Sequence, residues 1–301
     1  MLSRLLIEPF TVSYMQRALL SVVLLSIMGV VCGLHVVFRR LTFLAEALQH
    51  TVFPGIVIAF LTGQSLLLGA TAAAILTVVM FSLASSKTNA DTDSVLAVLV
   101  TLFFGLGVVL VSRSGSFQHD LTTLVFGRLL SVSTAELVQT GVVAVVVVAV
   151  LIALHKELML RAFDESGAKS MGYSVVTLDL VLNCLVAAVV VASVRSVGTV
   201  LMVAFIVTPA LTGRMAARRV GYMLAVGLGC SLVAGWVGLG LSYELSVHRG
   251  VNLAAGATVV LLMTVMFLLV AGYQAIRRSY APEAHNLYAP EAQDSYAPEA
   301  R

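Results

Sequence analysis

Charged side chains are scarce in this 301-residue chain, because lysine, arginine, aspartate and glutamate together make up only 11% of it. A water-soluble domain of ordinary composition carries roughly 25% charged residues. Hydrophobic residues make up 59% of the chain, and the mean hydropathy is +1.02. This composition excludes a soluble enzyme and a nucleic-acid-binding protein. It predicts an all-α integral membrane protein that crosses the lipid bilayer several times.

Cysteine is also rare, and a phosphate-binding loop is missing. The three cysteines, Cys32, Cys184 and Cys230, lie inside apolar runs and do not form the framework of a disulfide-rich secreted domain. The nearest match to a phosphate loop, residues 167–170 (GAKS), lacks the upstream glycine and the Gly-Lys pair that such a loop needs. We therefore expect a chain that is not an enzyme, does not hydrolyse ATP itself and holds no cofactor tightly.

Apolar runs of roughly 20 residues, each long enough to cross a hydrocarbon core about 30 Å thick, recur along the chain. Two of them are short and contain a proline, Pro54 or Pro209, which predicts a helix break or a gating position there. We therefore expect about nine spans, with eight as the alternative. They cover residues 14–37, 44–61, 66–84, 94–111, 135–155, 174–194, 197–213, 220–243 and 254–273.

The basic residues predict the orientation, because lysine and arginine accumulate in cytoplasmic loops. We expect the protein in the plasma membrane. With nine spans, its N-terminus lies outside the cell and its C-terminus lies in the cytoplasm. The residues on the cytoplasmic side are then Arg39, Arg40, Lys87, Lys156, Arg161, Lys169, Arg214, Arg218, Arg219, Arg277, Arg278 and Arg301.

After residue 273 the composition changes, and the sequence Tyr-Ala-Pro-Glu-Ala recurs from Tyr280, Tyr288 and Tyr296. A segment with repeated proline and few aliphatic residues cannot bury a core. We expect residues 274–301 to form a disordered cytoplasmic tail, with a docking segment for a partner as the alternative.

Glu46 and His50 carry the strongest functional signal, because ionisable groups inside a span are costly and are functional by default. Their i, i+4 spacing places a carboxylate and an imidazole on one helix face. Pro54 has no N–H to bond the His50 carbonyl, which leaves that oxygen free for a cation. Such a mixed set of N and O ligands suits a divalent transition metal. Alternatively, the two side chains bond each other or a neighbouring helix.

Other polar residues give weaker signals. Asp179 and Asn183 repeat the i, i+4 spacing near the cytoplasmic end of the sixth span, where a salt bridge or packing hydrogen bond is at least as good an interpretation. His155 is predicted to be solvated at the end of a span. His119 and Asp120 adjoin in an outer loop, as a metal or docking site or as plain exposed residues.

The cytoplasmic connection 156–173 contains the sequence FDESGAKSMG. Apolar side chains mix there with charged ones, as in a short amphipathic helix that docks into a groove of a partner or lies on the bilayer. The residues concerned are Phe163, Asp164, Glu165, Lys169, Met171 and Gly172.

Together, four motifs resemble those of the metal-specific permease family of ABC importers for zinc, manganese or iron. They are FRRLTFLAEALQHTVFPG (38–55), LVFGRLL (124–130), AFDESGAKSMG (162–172) and SVGTVLMVAFIVTPALTG (196–213). The resemblance extends over about residues 15–273 and implies a type II ABC importer-like helical bundle, with residues 1–273 as its transmembrane domain.

The resemblance also implies partners and roles. Residues 162–172 correspond to a coupling helix that seats in a cytoplasmic ATPase subunit, and Glu46 and His50 to the metal-contacting pair. The family usually has aspartate at the first of these positions, so metal specificity does not transfer. A second permease copy, an extracytoplasmic metal-binding lipoprotein and alternating access are implied, with a divalent metal as cargo. The alternative is a proton-coupled secondary carrier that works without an ATPase.

Overall fold

A computed structural model describes residues 7–87, 90–112, 129–248 and 253–280, and within these ranges the chain forms helices and no strands. His119, Asp120 and the tail beyond residue 280 lie outside the described residues, as does most of the motif 124–130. Two short 3₁₀ turns, Glu8–Thr11 and Leu129–Ser131, accompany the α-helices. These are α1 Ser13–Phe38, α2 Thr42–Thr51, α3 Phe53–Leu61, α4 Leu66–Lys87, α5 Thr92–Ser112, α6 Thr134–Ala153, α7 His155–Phe163, α8 Glu165–Ser170, α9 Val175–Val197, α10 Thr199–Ala216, α11 Val220–His248 and α12 Ala255–Tyr280.

The predicted membrane architecture is confirmed. Among the described residues, eight helical segments are long and apolar enough to cross a membrane, and α2 and α3 together form one of them, Thr42–Leu61. Helix α10 is apolar but has only 18 residues. At 1.5 Å per residue it is about 27 Å long, which is at the lower limit for a span.

The contacts of α10 show that it nevertheless crosses the bundle. Near its C-terminus, Arg214 donates a hydrogen bond to the Val37 carbonyl at the end of α1 (3.1 Å). Asp179, near the start of α9, lies 2.8 Å from Arg39, the residue after α1. Helix α9 therefore runs away from this end of the bundle, and α10 returns to it. We call this the arginine end; with α10, nine described segments traverse the bundle.

The break predicted at Pro209 is wrong, because α10 continues through this residue. Pro209 has no N–H and cannot donate a hydrogen bond to the Phe205 carbonyl. Gly29 of α1 packs closely against this carbonyl, because a Cβ added to Gly29 would lie 2.7 Å from its oxygen. Helix α10 also packs against α11 and α12. Packing on several sides holds the helix together, and the loss of one hydrogen bond is tolerated in a membrane helix.

The break predicted at Pro54 is present. Helix α2 ends at Thr51, and Pro54 lies in the first turn of α3, where a missing N–H costs nothing. Helix α3 is held against α4 by Gly55 and Gly69, because a Cβ on either would collide with the carbonyl oxygen of the other. Close glycine contacts of this kind fix helix pairs in membranes.

Helix α12 continues to Tyr280, so the first seven residues of the predicted tail, 274–280, are helical. Gln274, Ala275 and Arg277 are good helix formers.

Candidate metal site and coupling helix

Helix α2 presents Glu46 and His50 on its least buried side. Its buried residues follow a helical stripe that packs against α5 and α9: Leu44, Ala45, Ala47, Leu48 and Thr51. Glu46 falls opposite this stripe and is exposed, and His50 is half-buried one turn further on. The apolar stripe therefore orients α2 so that the carboxylate and the imidazole share the free face.

The His50 imidazole is held from two sides. Its Nε2 lies 3.3 Å from the Gln49 Nε2, and its ring contacts the Phe104 ring of α5 edge to face, with centroids 5.8 Å apart. The Phe53 ring lies 5.9 Å from the same Phe104 ring. The Gln49 Oε1 is buried without a hydrogen-bond partner. The structure thus adds Gln49 and Phe104 as residues that position His50.

Glu46 and His50 do not bond each other: no ion pair joins them in the described part of the chain. Across the same ranges, no group of three or more His, Cys, Asp and Glu side chains is arranged to hold a metal ion. The single chain therefore offers one carboxylate and one imidazole on an open face. Such an arrangement can bind a cation only if water, backbone or a second chain adds ligands.

Asp179 and Asn183 do not join Glu46 and His50. They line a different cavity of about 350 Å³, together with Arg39, Arg161 and Lys169. Asn183 is buried, and its Oδ1 has no hydrogen-bond partner among the described residues. The contacts favour the interpretation of Asp179 as a salt-bridge residue, because it pairs with Arg39 and Arg161.

Asp179 is the centre of an ion-pair network that joins four helical segments. Its carboxylate lies 2.8 Å from the Arg39 Nη2 and 2.9 Å from the Arg161 Nη2. Arg161 also lies 2.8 Å from Glu165, which in turn lies 2.8 Å from the Lys169 Nζ. We call these five residues the Asp179 network. It connects the end of α1 and the start of α9 to α7 and α8.

Glu165 remains ionised at neutral pH. The hydrogen bond from Lys169 is the largest cause that lowers the pKa of its carboxyl, and the charge of Arg161 lowers it further. Because the pKa in the folded protein is below the ordinary value, the contribution of these pairs to stability is present at neutral pH. It is lost only as the pH falls through that lowered pKa.

Helix α8 forms the centre of the predicted coupling segment 162–172. The Asp164 carboxylate caps its N-terminus by accepting a hydrogen bond from the Gly167 N–H (2.8 Å). Gly172 ends it with a φ of +84°, as a C-terminal glycine does. Phe163 and Met171 flank the helix and are 73% and 67% exposed. A short capped helix is thus flanked by two largely exposed apolar side chains, of which Phe163 packs with one side of its ring against Phe38.

Comparison with known proteins identifies the family. A family model described as the ABC 3 transport family matches residues 11–274. This chain belongs to the ABC 3 transport family. The Yersinia pestis chelated iron transport system membrane protein YfeD is 30% identical to this family member over 286 residues, 94% of each chain. The Listeria monocytogenes manganese transport system membrane protein MntC is 28% identical over 85% of this chain and 89% of its own length.

The solved structures agree with this assignment. A chain of PsaBC from Streptococcus pneumoniae, solved in complex with a Fab, superimposes on this ABC 3 family member with a TM-score of 0.77 and 26% sequence identity. The match covers 90% of this chain and 95% of the other. The helical order described above is therefore similar over nearly the whole length of a solved relative.

The prediction that His155 is solvated is wrong. In this family member, its Nδ1 lies 3.3 Å from the Nε2 of His35, whose Nδ1 lies 3.0 Å from the Val31 carbonyl oxygen. The chain turns at Leu154 between α6 and α7, and this turn places His155 against α1. No sequence signal pointed to His35, a single polar residue in a long apolar run.

Replacing Asp179 by asparagine is expected to lower the free energy of unfolding of this ABC 3 family member by about 2 kcal/mol. Removing one partner of a buried ion pair costs about 3 to 5 kcal/mol, and we expect less because the Asp179 side chain is 30% exposed. The measurement is thermal or denaturant unfolding of the purified protein. The matched control is Glu244→Gln, which removes a carboxylate paired with His248 at a helix end. A loss no larger than that of the control contradicts the prediction.

Proposed function

We propose that this chain is the membrane-spanning permease subunit of an ATP-driven importer that carries a divalent transition metal cation into the cytoplasm. Its family and the names of its relatives, which belong to manganese and iron transport systems, support this proposal. We take manganese or iron as the cargo before zinc. A carboxylate and an imidazole are ligands that suit these cations.

The observation that carries the proposal is the exposure of Glu46 within the span Thr42–Leu61. A charged side chain that faces lipid costs about 2.5 to 3.5 kcal/mol or more at the centre of a span and less towards its ends, and Glu46 lies about one turn inside this span. The face of α2 that carries it therefore meets a water-filled pathway, a second protein chain or both. We place the route of the cation along this face, with His50 one turn away.

A second copy of the chain completes the site in this proposal. Two protomers that meet near α2 contribute two Glu46 carboxylates and two His50 imidazoles, which makes a set of four N and O ligands. The incomplete site of the single chain supports this arrangement, since the described residues hold no larger metal cluster. The affinity must remain modest, because a transport site must also release its ion.

The cytoplasmic ATPase couples through α8. Phe163 and Met171 supply apolar anchors for a groove on the ATPase, and the Asp179 network carries a displacement of α8 to α1 and α9. The positive-inside rule supports a cytoplasmic arginine end and an N-terminus outside the cell. An extracytoplasmic metal-binding lipoprotein then delivers the cation to the opposite end, and alternating access moves it across.

Reconstitution tests this proposal against the secondary carrier. We expect Mn²⁺ or Fe²⁺ to enter proteoliposomes that contain the permease, its ATPase and its binding lipoprotein only when hydrolysable ATP is supplied. Vesicles with a non-hydrolysable ATP analogue are the control. Uptake by the permease alone under an imposed proton gradient contradicts the importer and supports the carrier.

A further inference from the structure

A cleft of about 420 Å³ opens at the arginine end and has an unusual lining. Among the described residues, four guanidinium groups and two aromatic rings line it, and no carboxylate does. The side chains are Arg39, Arg40, Arg161, Arg214, Phe38 and Phe163. We call it the arginine cleft.

The positive charge of the cleft is only partly neutralised. Arg39 and Arg161 share Asp179, and Arg161 also pairs with Glu165; both carboxylates line the neighbouring cavity instead. Within the described ranges, Arg40 and Arg214 have no carboxylate partner; Arg214 donates to a backbone carbonyl and lies over the Phe38 ring, 5.6 Å from its centroid. The Arg161 Nε is buried and finds no acceptor among the described residues. The cleft therefore holds unused donors and uncompensated charge, which is the chemistry of an anion site.

The backbone at Arg40 indicates that this charge has a use. Helix α1 ends with hydrogen bonds from the Leu41 N–H to the Val36 carbonyl and from the Arg40 N–H to the Val37 carbonyl. This motif places Arg40 in the left-handed region with a φ of +56°. Glycine occupies the corresponding position after α3 and after α8, at Gly63 and Gly172. An arginine there costs conformational free energy that glycine avoids, and it adds a guanidinium to the cleft.

The position of the cleft selects the anion. The cleft lies where two membrane helices end, at Phe38 of α1 and near Arg214 of α10, so its guanidiniums lie at the level of the membrane surface. The Phe38 and Phe163 rings, 5.4 Å apart, give it an apolar wall. Anionic lipids are common in the cytoplasmic leaflet, and basic pockets between helices bind their head groups.

We infer that the arginine cleft binds the phosphate head group of an anionic phospholipid of the cytoplasmic leaflet. The guanidinium groups bind the phosphate oxygens in pairs, as the planar fork of arginine allows. The lipid then joins the ends of α1 and α10 to α7, the helix that leads into α8. This inference uses the cytoplasmic orientation of the proposed function, but it does not depend on metal transport.

Native mass spectrometry of the purified permease tests the inference directly. The protein is mixed with equal amounts of phosphatidylglycerol and phosphatidylcholine, and the lipids that it retains are counted. The double variant Arg40→Gly/Arg214→Gln is expected to bind phosphatidylglycerol about 30-fold more weakly, which equals about 2 kcal/mol. The matched control is Arg218→Gln/Arg219→Gln, which removes the same charge from exposed positions near the same helix end but outside the cleft.

The single variant Arg40→Gly keeps the test valid if Arg214→Gln disturbs the fold. Glycine is the residue that the left-handed backbone at position 40 favours, so this variant folds without added strain. We expect it to weaken the binding of phosphatidylglycerol about fivefold and to leave phosphatidylcholine binding unchanged.

Four outcomes overturn the inference. The first is equal retention of the two lipids by the unmodified protein, and the second is an equal loss of lipid binding in the double variant and in the control. The third is full displacement of the lipid by millimolar inorganic phosphate, which assigns the cleft to a free anion. The fourth is a weakened ATPase complex with unchanged lipid binding in the double variant, which assigns the cleft to an acidic surface of the ATPase. Lipid retention is measured on the permease without the ATPase. A failure therefore leaves the transport proposal intact.

Discussion

Replacing Glu46 by glutamine or His50 by alanine is expected to lower metal uptake by at least the 10- to 100-fold that is typical of changes beside a metal ligand. Glutamine keeps the shape of the side chain but removes the charge that attracts the cation, and alanine removes a nitrogen ligand. Both residues lie on the free face of α2, so neither change disturbs the buried stripe. The measurement is uptake by proteoliposomes that contain the assembled complex.

The chain supplies a matched control for this prediction in Glu244 and His248. This pair has the same residue types at the same spacing, and the His248 Nδ1 lies 3.2 Å from the Glu244 Oε2. It lies at the end of α11 and forms a local ion pair. Glu244→Gln and His248→Ala are expected to leave uptake close to normal. Unchanged uptake in both Glu46→Gln and His50→Ala would refute the assignment of the metal site.

A shorter carboxylate at position 46 tests the length of the side chain while its charge is kept. Glu46→Asp keeps the charge and shortens the side chain by one methylene. We expect it to retain uptake and to change the preference among Mn²⁺, Fe²⁺ and Zn²⁺. This preference is measured by competition between the ions in the same vesicles.

Replacing Phe163 or Met171 by aspartate is expected to weaken binding of the ATPase about 30-fold or more. Burial of a large apolar side chain contributes about 1.5 to 3 kcal/mol, and an aspartate adds the cost of burying a charge. A loss of about 2 kcal/mol corresponds to a 30-fold weaker complex. Co-purification of the ATPase with the permease measures it, together with ATPase activity in the reconstituted complex.

Conservative variants show whether apolar contact or helix structure is responsible. Phe163→Leu and Met171→Leu keep an apolar side chain and are expected to retain most of the binding. Neither position supports α8 itself, which depends on the Asp164 cap and the buried Ala168. If the aspartate variants still bind the ATPase like the unmodified protein, α8 is not the docking element.

Much of the architecture follows from local sequence, because a membrane span is recognised from its own residues. Runs of apolar residues predict the helices, and the same local rule predicts a break at each proline, which is present at Pro54 and absent at Pro209. The i, i+4 spacing placed Glu46 and His50 on one face. Residues 162–172 predicted a short amphipathic helix, and α8 lies within them.

The sequence by itself determined the class of protein, the order of its helices and the two segments that carry the proposed function. Only the tertiary structure showed that Asp179 binds Arg39 and Arg161, that His155 meets His35, and that four arginines line one cleft. The physical reason is separation along the chain: Arg214 meets the carbonyl of a residue 177 positions away. Hydropathy and spacing describe which face of each helix is apolar, whereas packing alone decides which faces meet.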